Sequence, residues 1–135
     1  MTLSPADVDA FLGERHTAIV ATLRNDGMPH LTTTWYRWDG TSFWIATNRT
    51  TAKYKHLARD ARMAVLIDAP ARETAVSATG RSEFVAHDEG AWEGALGIVR
   101  RYVEDAEAYL EARKDEPRVL IRMTPIQLTS WRPDE

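Results

Sequence analysis

With 135 residues, 44% of them hydrophobic and 27% charged, the chain has the length of one domain and enough apolar content to fill one core, which excludes disordered and fibrous classes. It contains no cysteine, so disulfides, thiolate nucleophiles, zinc ribbons and iron–sulfur clusters are excluded together. A formal net charge of −3 argues against a general nucleic-acid binder, whose surface must neutralise several phosphates.

Met1-Thr2-Leu3-Ser4-Pro5-Ala6-Asp7 has neither the basic start nor the apolar stretch of a signal peptide, and no apolar run is long enough to span a bilayer. A cytoplasmic protein with no membrane partner is expected. Ser4 before Pro5, with Asp7 three residues after it, is the pattern of a capped helix start, and Val8, Phe11 and Leu12 recur at helical spacing. A short helix over about 5–14 is predicted. Three β-rich runs follow at 17–24, 29–38 and 41–47, joined by Asn25-Asp26-Gly27 and Asp39-Gly40. Asp-Gly between such runs is a strong hairpin signal, so an antiparallel meander is predicted.

From Thr51 to about Arg59 the spacing turns helical, Asp60-Ala61 ends the helix, and Met63-Ala64-Val65-Leu66-Ile67 reads as a strand buried on both faces. Beyond Pro70 a long strand is predicted over 74–87, in which Gly80 signals a bulge or a close backbone approach. Trp92, Leu96, Val99, Tyr102 and Val103 recur at helical spacing within 88–113, giving one or two helices, and 117–131 is the last strand. Six strands in this order read as a small antiparallel barrel with peripheral helices, because an open sheet would leave unpaired edges.

The stretch Ala46-Thr47-Asn48-Arg49-Thr50-Thr51-Ala52-Lys53-Tyr54-Lys55-His56-Leu57 leaves a strand, crosses a polar turn and enters a helix. Thr50 or Thr51 can cap that helix, whose free N–H groups and dipole favour an anion, and Arg49 and Lys53 bring cationic donors to the same end. A phosphate site is thereby outlined. Lys55, Arg59 and Arg62 add charge against Asp60 alone, whereas Arg113 stands outside the cluster. The same pattern fits a solvated basic helix with a hydroxyl cap, and the turn lacks the glycines of a Walker loop. Aromatics in a barrel are ordinarily core, the reading for Trp44 and Trp92, while Trp35 and Trp131 either join the core or wall a planar ligand. His16, His30, His56 and His87 show no metal spacing and read as surface residues, with a functional alternative kept for His30 alone, at the start of the second β run. No serine nucleophile elbow or catalytic carboxylate pair is present, so no catalytic residue is assigned.

The ordered set Asn25-Asp26-Gly27, Pro29-His30, Trp35, Trp38-Asp39-Gly40, Ala46-Thr47-Asn48, Ala52-Lys53, Leu57 and Arg59-Asp60-Ala61-Arg62-Met63-Ala64, closed by Arg122-Met123-Thr124-Pro125-Ile126-Gln127-Leu128-Thr129-Ser130-Trp131, resembles the flavin- and deazaflavin-binding split β-barrel family. That family includes pyridoxamine 5′-phosphate oxidases and the actinobacterial coenzyme F420-dependent reductases. The resemblance implies a six-stranded antiparallel split β-barrel with peripheral helices, paired as a homodimer with two cofactor sites at the interface. It carries Lys53 onto the lysine that contacts the cofactor phosphate, Thr47 and Asn48 onto the strand end and turn before it, and Thr32, Thr33, Thr34 and Trp35 onto the second-strand segment beside the ring system.

Two departures matter. Thr51 stands where many members carry an arginine, for which Arg49 is the available substitute, and Leu31 stands where true pyridoxamine phosphate oxidases have another. Their C-terminal arginine-histidine signature is absent as well, so vitamin B6 oxidation is not expected. The missing arginine and the basic helix favour F420 over FMN, because the carboxylates of a lactyl-oligoglutamate tail could meet Lys55 or Arg59. The implied activity is hydride transfer between F420 and a small organic acceptor, chemistry that the cofactor carries and that needs no acid–base dyad. FMN-dependent oxidation–reduction is the alternative, as is a non-catalytic flavin, deazaflavin or haem carrier on the same barrel.

Overall fold

The Ser4 hydroxyl accepts a hydrogen bond from the Asp7 amide at 3.1 Å and starts helix α1, Pro5–Gly13, in the computed structural model, which describes residues 1–134. Strands β1 (Ala18–Leu23), β2 (Pro29–Thr34), β3 (Arg37–Trp38) and β4 (Phe43–Asn48) precede helix α2 (Ala52–Arg59). Strands β5 (Arg62–Ala69) and β6 (Thr74–His87), helices α3 (Trp92–Val99) and α4 (Ala106–Glu111), and strand β7 (Arg118–Trp131) complete the chain. Gly27 and Gly40 adopt φ of 84° and 95° in the two predicted hairpin turns, a region that glycine enters without strain.

All pairings are antiparallel, in the order β2-β1-β5-β6-β7-β4-β3. The outermost strands, β2 and β3, are separated in sequence only by Trp35 and Tyr36. Three Cα steps reach at most about 11 Å, so the two edges of the sheet are held together by the chain itself, and the sheet must curl into the predicted split barrel. The strand count is seven where six were predicted, because the run over 29–38 is broken. The cause is Tyr36, whose amide donates to the Tyr102 hydroxyl at 3.3 Å and whose carbonyl accepts from Tyr102 and from the Arg101 guanidinium. Its backbone groups are thereby withdrawn from any ladder.

The barrel core holds Leu12, Val20, Tyr36, Phe43, Ile45 and Ile121, each at most 1% exposed. A second cluster, Ala95, Leu96, Val99, Ala106 and Leu110, joins α3 to α4 and packs against Trp35 and Trp92. Several expectations are corrected. Strand β5 is buried on one face only, through Met63, Val65 and Ile67, since alternate residues of a strand point to opposite faces and Leu66 is 36% exposed. Trp44 and Trp92 are half-buried; Trp44 keeps its ring N–H on the Asp39 carboxylate at 2.7 Å, so the core aromatics are instead Phe11, Tyr36 and Phe43. Trp131 is exposed. His16 is half-buried on the Phe11 ring, and His30 and His56 are half-buried edge to face, with ring centres 5.2 Å apart.

Gly80 sits at a register shift in β6, and a Cβ there would lie 2.6 Å from the Thr124 carbonyl oxygen. Backbone cannot move aside as a flexible side chain can. Gly80→Ala is therefore expected to cost about 1–3 kcal/mol of overpacking strain, read as a lowered urea midpoint at unchanged slope.

Candidate functional site

The turn between β4 and α2 is tied to itself. Asn48 Oδ1 accepts from the Thr50 amide at 2.9 Å, Thr51 Oγ1 caps α2 by accepting from the Tyr54 amide at 3.2 Å, and the Thr47 and Thr51 hydroxyls lie 3.0 Å apart. This stapled turn sets the direction of Lys53, one residue inside the helix. Lys53 is 8% exposed, and burial lowers its pKa below the ordinary lysine value. Among the described residues no carboxylate pairs with it.

Lys53 faces a cleft of about 420 Å³ between the barrel and the α3–α4 insert. Thr33, Thr34 and Trp35 reach it from the end of β2, Thr47 and Asn48 from the end of β4, and Tyr109, Arg113 and Arg118 from the insert and the head of β7. Ile98, Val99 and Leu110 supply apolar wall. Trp35 stacks on Tyr102 with ring centres 4.9 Å apart and planes 5° from parallel, and it meets Tyr109 at 5.4 Å. The Arg113 guanidinium covers the Tyr109 ring at 3.7 Å and donates to the Tyr109 carbonyl at 2.9 Å. Three cationic residues, Lys53, Arg113 and Arg118, thus line the cleft against the single carboxylate of Glu116. A hollow with aromatic and apolar walls and an excess of positive charge suits a flat molecule carrying an anionic group.

Of the residues singled out from sequence, Thr33, Thr34, Trp35, Thr47, Asn48 and Lys53 share this cleft. Thr32, deeper in β2, does not line it, and Thr51 serves as the helix cap. Arg49 lies outside and is held by the Asp88 carboxylate at 3.1 Å. Lys55, two residues from Lys53, is turned about 200° around the helix and lies in a separate groove with Arg24, His56 and Arg59. Arg113, read from sequence as outside the cluster, is in the cleft. Tyr109 and Arg118 were not anticipated either. The available signal for Arg118 is a lone charge at the head of the run Val119-Leu120-Ile121, all of it buried.

A family model described as Pyridoxamine 5'-phosphate oxidase matches residues 4–132. Among solved structures the chain is similar to a conserved hypothetical protein from Mycobacterium tuberculosis, at 27% identity over 98% of this chain and 86% of that one, with a TM-score of 0.82. It is similar to an F420 reductase at 21% identity, over 89% and 94% of the two chains, with a TM-score of 0.66. It also resembles general stress protein 26 from Bacillus anthracis at 17% identity, over 96% and 95%, with a TM-score of 0.71. The last two likenesses show a shared fold. No curated protein matches the chain.

Proposed function

The chain belongs to the pyridoxamine 5′-phosphate oxidase family, and from that premise we propose that it is an oxidoreductase passing hydride between coenzyme F420 and a small organic acceptor. The observation that carries this reading is Lys53. A nearly buried ammonium without a carboxylate partner is costly unless a ligand supplies the anion, and here it opens on a cleft with aromatic and apolar walls. A phosphorylated planar cofactor fits that donor set. Bound there, the cofactor supplies the hydride-carrying centre. Lys53, Thr47 and Asn48 would hold its phosphate, Thr33, Thr34 and Trp35 would border its ring, and Ile98, Val99 and Leu110 would keep water from the reacting face. Preference for F420 over FMN is supported by the F420 reductase among the structural neighbours and by Leu31, which offers no charge where the true oxidases have arginine.

Titration of the purified chain with F420 and FMN side by side tests the assignment. Tighter F420 binding is expected, with faster hydride delivery from reduced F420 to an enone, quinone or tetrapyrrole than in free solution. Stronger FMN binding would move the activity to flavin chemistry, and tight binding without acceleration would make the chain a carrier. The same reading includes a homodimer. Leu31 and Ile126 are 65% and 78% exposed, and Ile126 borders an apolar hollow with Ala21, Ala64 and Gly80, a surface that a second copy would cover. Sedimentation at micromolar concentration should report about twice the mass of one 15.3 kDa chain.

A further inference from the structure

We infer that Arg118 is the anion-binding arginine of the cleft, taking the phosphoryl group of the ligand together with Lys53 and Asn48. The inference rests on the reading of the cleft as a site for a phosphorylated cofactor, and it supplies the arginine that neither Thr51 nor Arg49 provides.

A guanidinium carries five N–H donors and stays charged at any working pH. Arg118 has a side chain only 6% exposed, yet its partners are few. Nη2 makes one long hydrogen bond to the Arg113 carbonyl at 3.4 Å, the Glu116 carboxylate stands 4.0 Å away, and the Trp92 ring centre is at 5.6 Å. Among the described residues the sealed side-chain atoms without a partner are His16 Nε2 and Arg132 Nε, so the unused donors of Arg118 are not sealed. The residue lines the cleft beside Lys53 and Asn48, and on its other side a hollow that also holds Asp88, Glu89, Asp115 and Glu116. A buried fork with spare donors and an access route is built for an incoming oxyanion, which it can grip with two parallel bonds.

Its neighbours fit the same ligand. Arg118 stands opposite Asn48 in the β4–β7 register, and the Arg49 amide binds the Pro117 carbonyl at 2.9 Å, fixing the head of β7 against the turn that leads to Lys53. The other arginines nearby are engaged: Arg49 with Asp88, and Arg113 with the ring and carbonyl of Tyr109. Glu116 is 46% exposed and lies beyond hydrogen-bond distance, so it gives way to a stronger anion.

Equilibrium dialysis of the full chain against FMN and riboflavin, and against F420 and its phosphate-free chromophore, separates the phosphate's share of affinity from that of the ring. Wild-type protein is expected to prefer the phosphorylated partner. Arg118→Gln should erase about 10- to 100-fold of that preference while affinity for the phosphate-free form holds, and Arg49→Ala should leave the preference intact. Arg118→Lys, which keeps the charge without the fork, serves if the glutamine variant fails to fold, and it should lose an intermediate share. Full preference in the folded Arg118 variants, or no preference in wild type, overturns the inference and leaves cofactor binding standing. If wild type binds neither ring, the cofactor reading fails. Inorganic phosphate then decides: a saturable rise in melting temperature that vanishes in Arg118→Gln supports the assignment, and no rise in wild type overturns it.

Discussion

Lys53→Met should produce a protein that is at least as stable as wild type and that has lost about 1.5–3 kcal/mol of affinity for a phosphorylated cofactor. The substitution keeps a buried apolar stem at this position of α2 and removes the desolvated ammonium. Removing an uncompensated buried charge relieves a cost of the unliganded fold, so function and stability should move in opposite directions. The pH dependence has a definite sign. Because burial lowers the folded pKa of Lys53, the unfolded chain holds this proton more tightly, and wild-type stability gains as pH rises from the folded value toward the ordinary lysine range. Lys53→Met should lack that gain. Denaturant midpoints of both proteins between pH 7 and 10, measured beside cofactor dialysis, check both halves. A variant that binds F420 or FMN as wild type does returns Lys53 to the status of a packed helix residue.

Tyr36→Ala should cost about 3–5 kcal/mol, the range for deleting a fully buried aromatic, and this is a large part of the stability of a domain this size. Tyr36 is 0% exposed, donates from its hydroxyl to the Leu12 carbonyl at 2.8 Å, and touches Phe43 with ring centres 5.9 Å apart. Its removal leaves a void where the two sheet edges meet. Tyr36→Phe keeps the volume and loses one hydrogen bond, about 1 kcal/mol. Burial pushes the Tyr36 hydroxyl up to about 12, so the folded protein retains this proton after the unfolded chain, near 10, has lost it. That stabilisation is present below pH 10 and is lost as pH rises toward 12. Alkaline unfolding of wild type should therefore steepen over this window, and Tyr36→Phe should flatten it.

Much of the architecture was legible because its signals are local. Asp26-Gly27 and Asp39-Gly40 mark their own turns, Ser4 and Thr51 mark their own helices, and Gly80 marks a place where β6 and β7 approach too closely for a side chain. The break at Trp35-Tyr36 was not legible, since its cause is Arg101 and Tyr102, which lie more than sixty residues away and claim the Tyr36 backbone. The candidate site divides in the same manner. Lys53, Thr47 and Asn48 come from one continuous turn and could be grouped by sequence. Tyr109, Arg113 and Arg118 join them only because the insert folds back over the end of β4, and no spacing pattern encodes that return. Arg49 shows the converse: neighbouring Lys53 in sequence, it is drawn off by Asp88, thirty-nine positions along the chain.

The place of β7 between β6 and β4 has a consequence for how the protein is made. Strand β7, made after the other six, fills a gap in the interior of the sheet, so β4 and β6 each offer an unsatisfied edge until it arrives. Pairings such as Phe43↔Met123 close loops spanning most of the sequence, and topologies of this kind fold slowly relative to their size. A chain stalled or cleaved before residue 118 retains two open edges that invite pairing with other nascent chains, so faults in β7 should surface as inclusion bodies rather than as soluble protein of reduced activity.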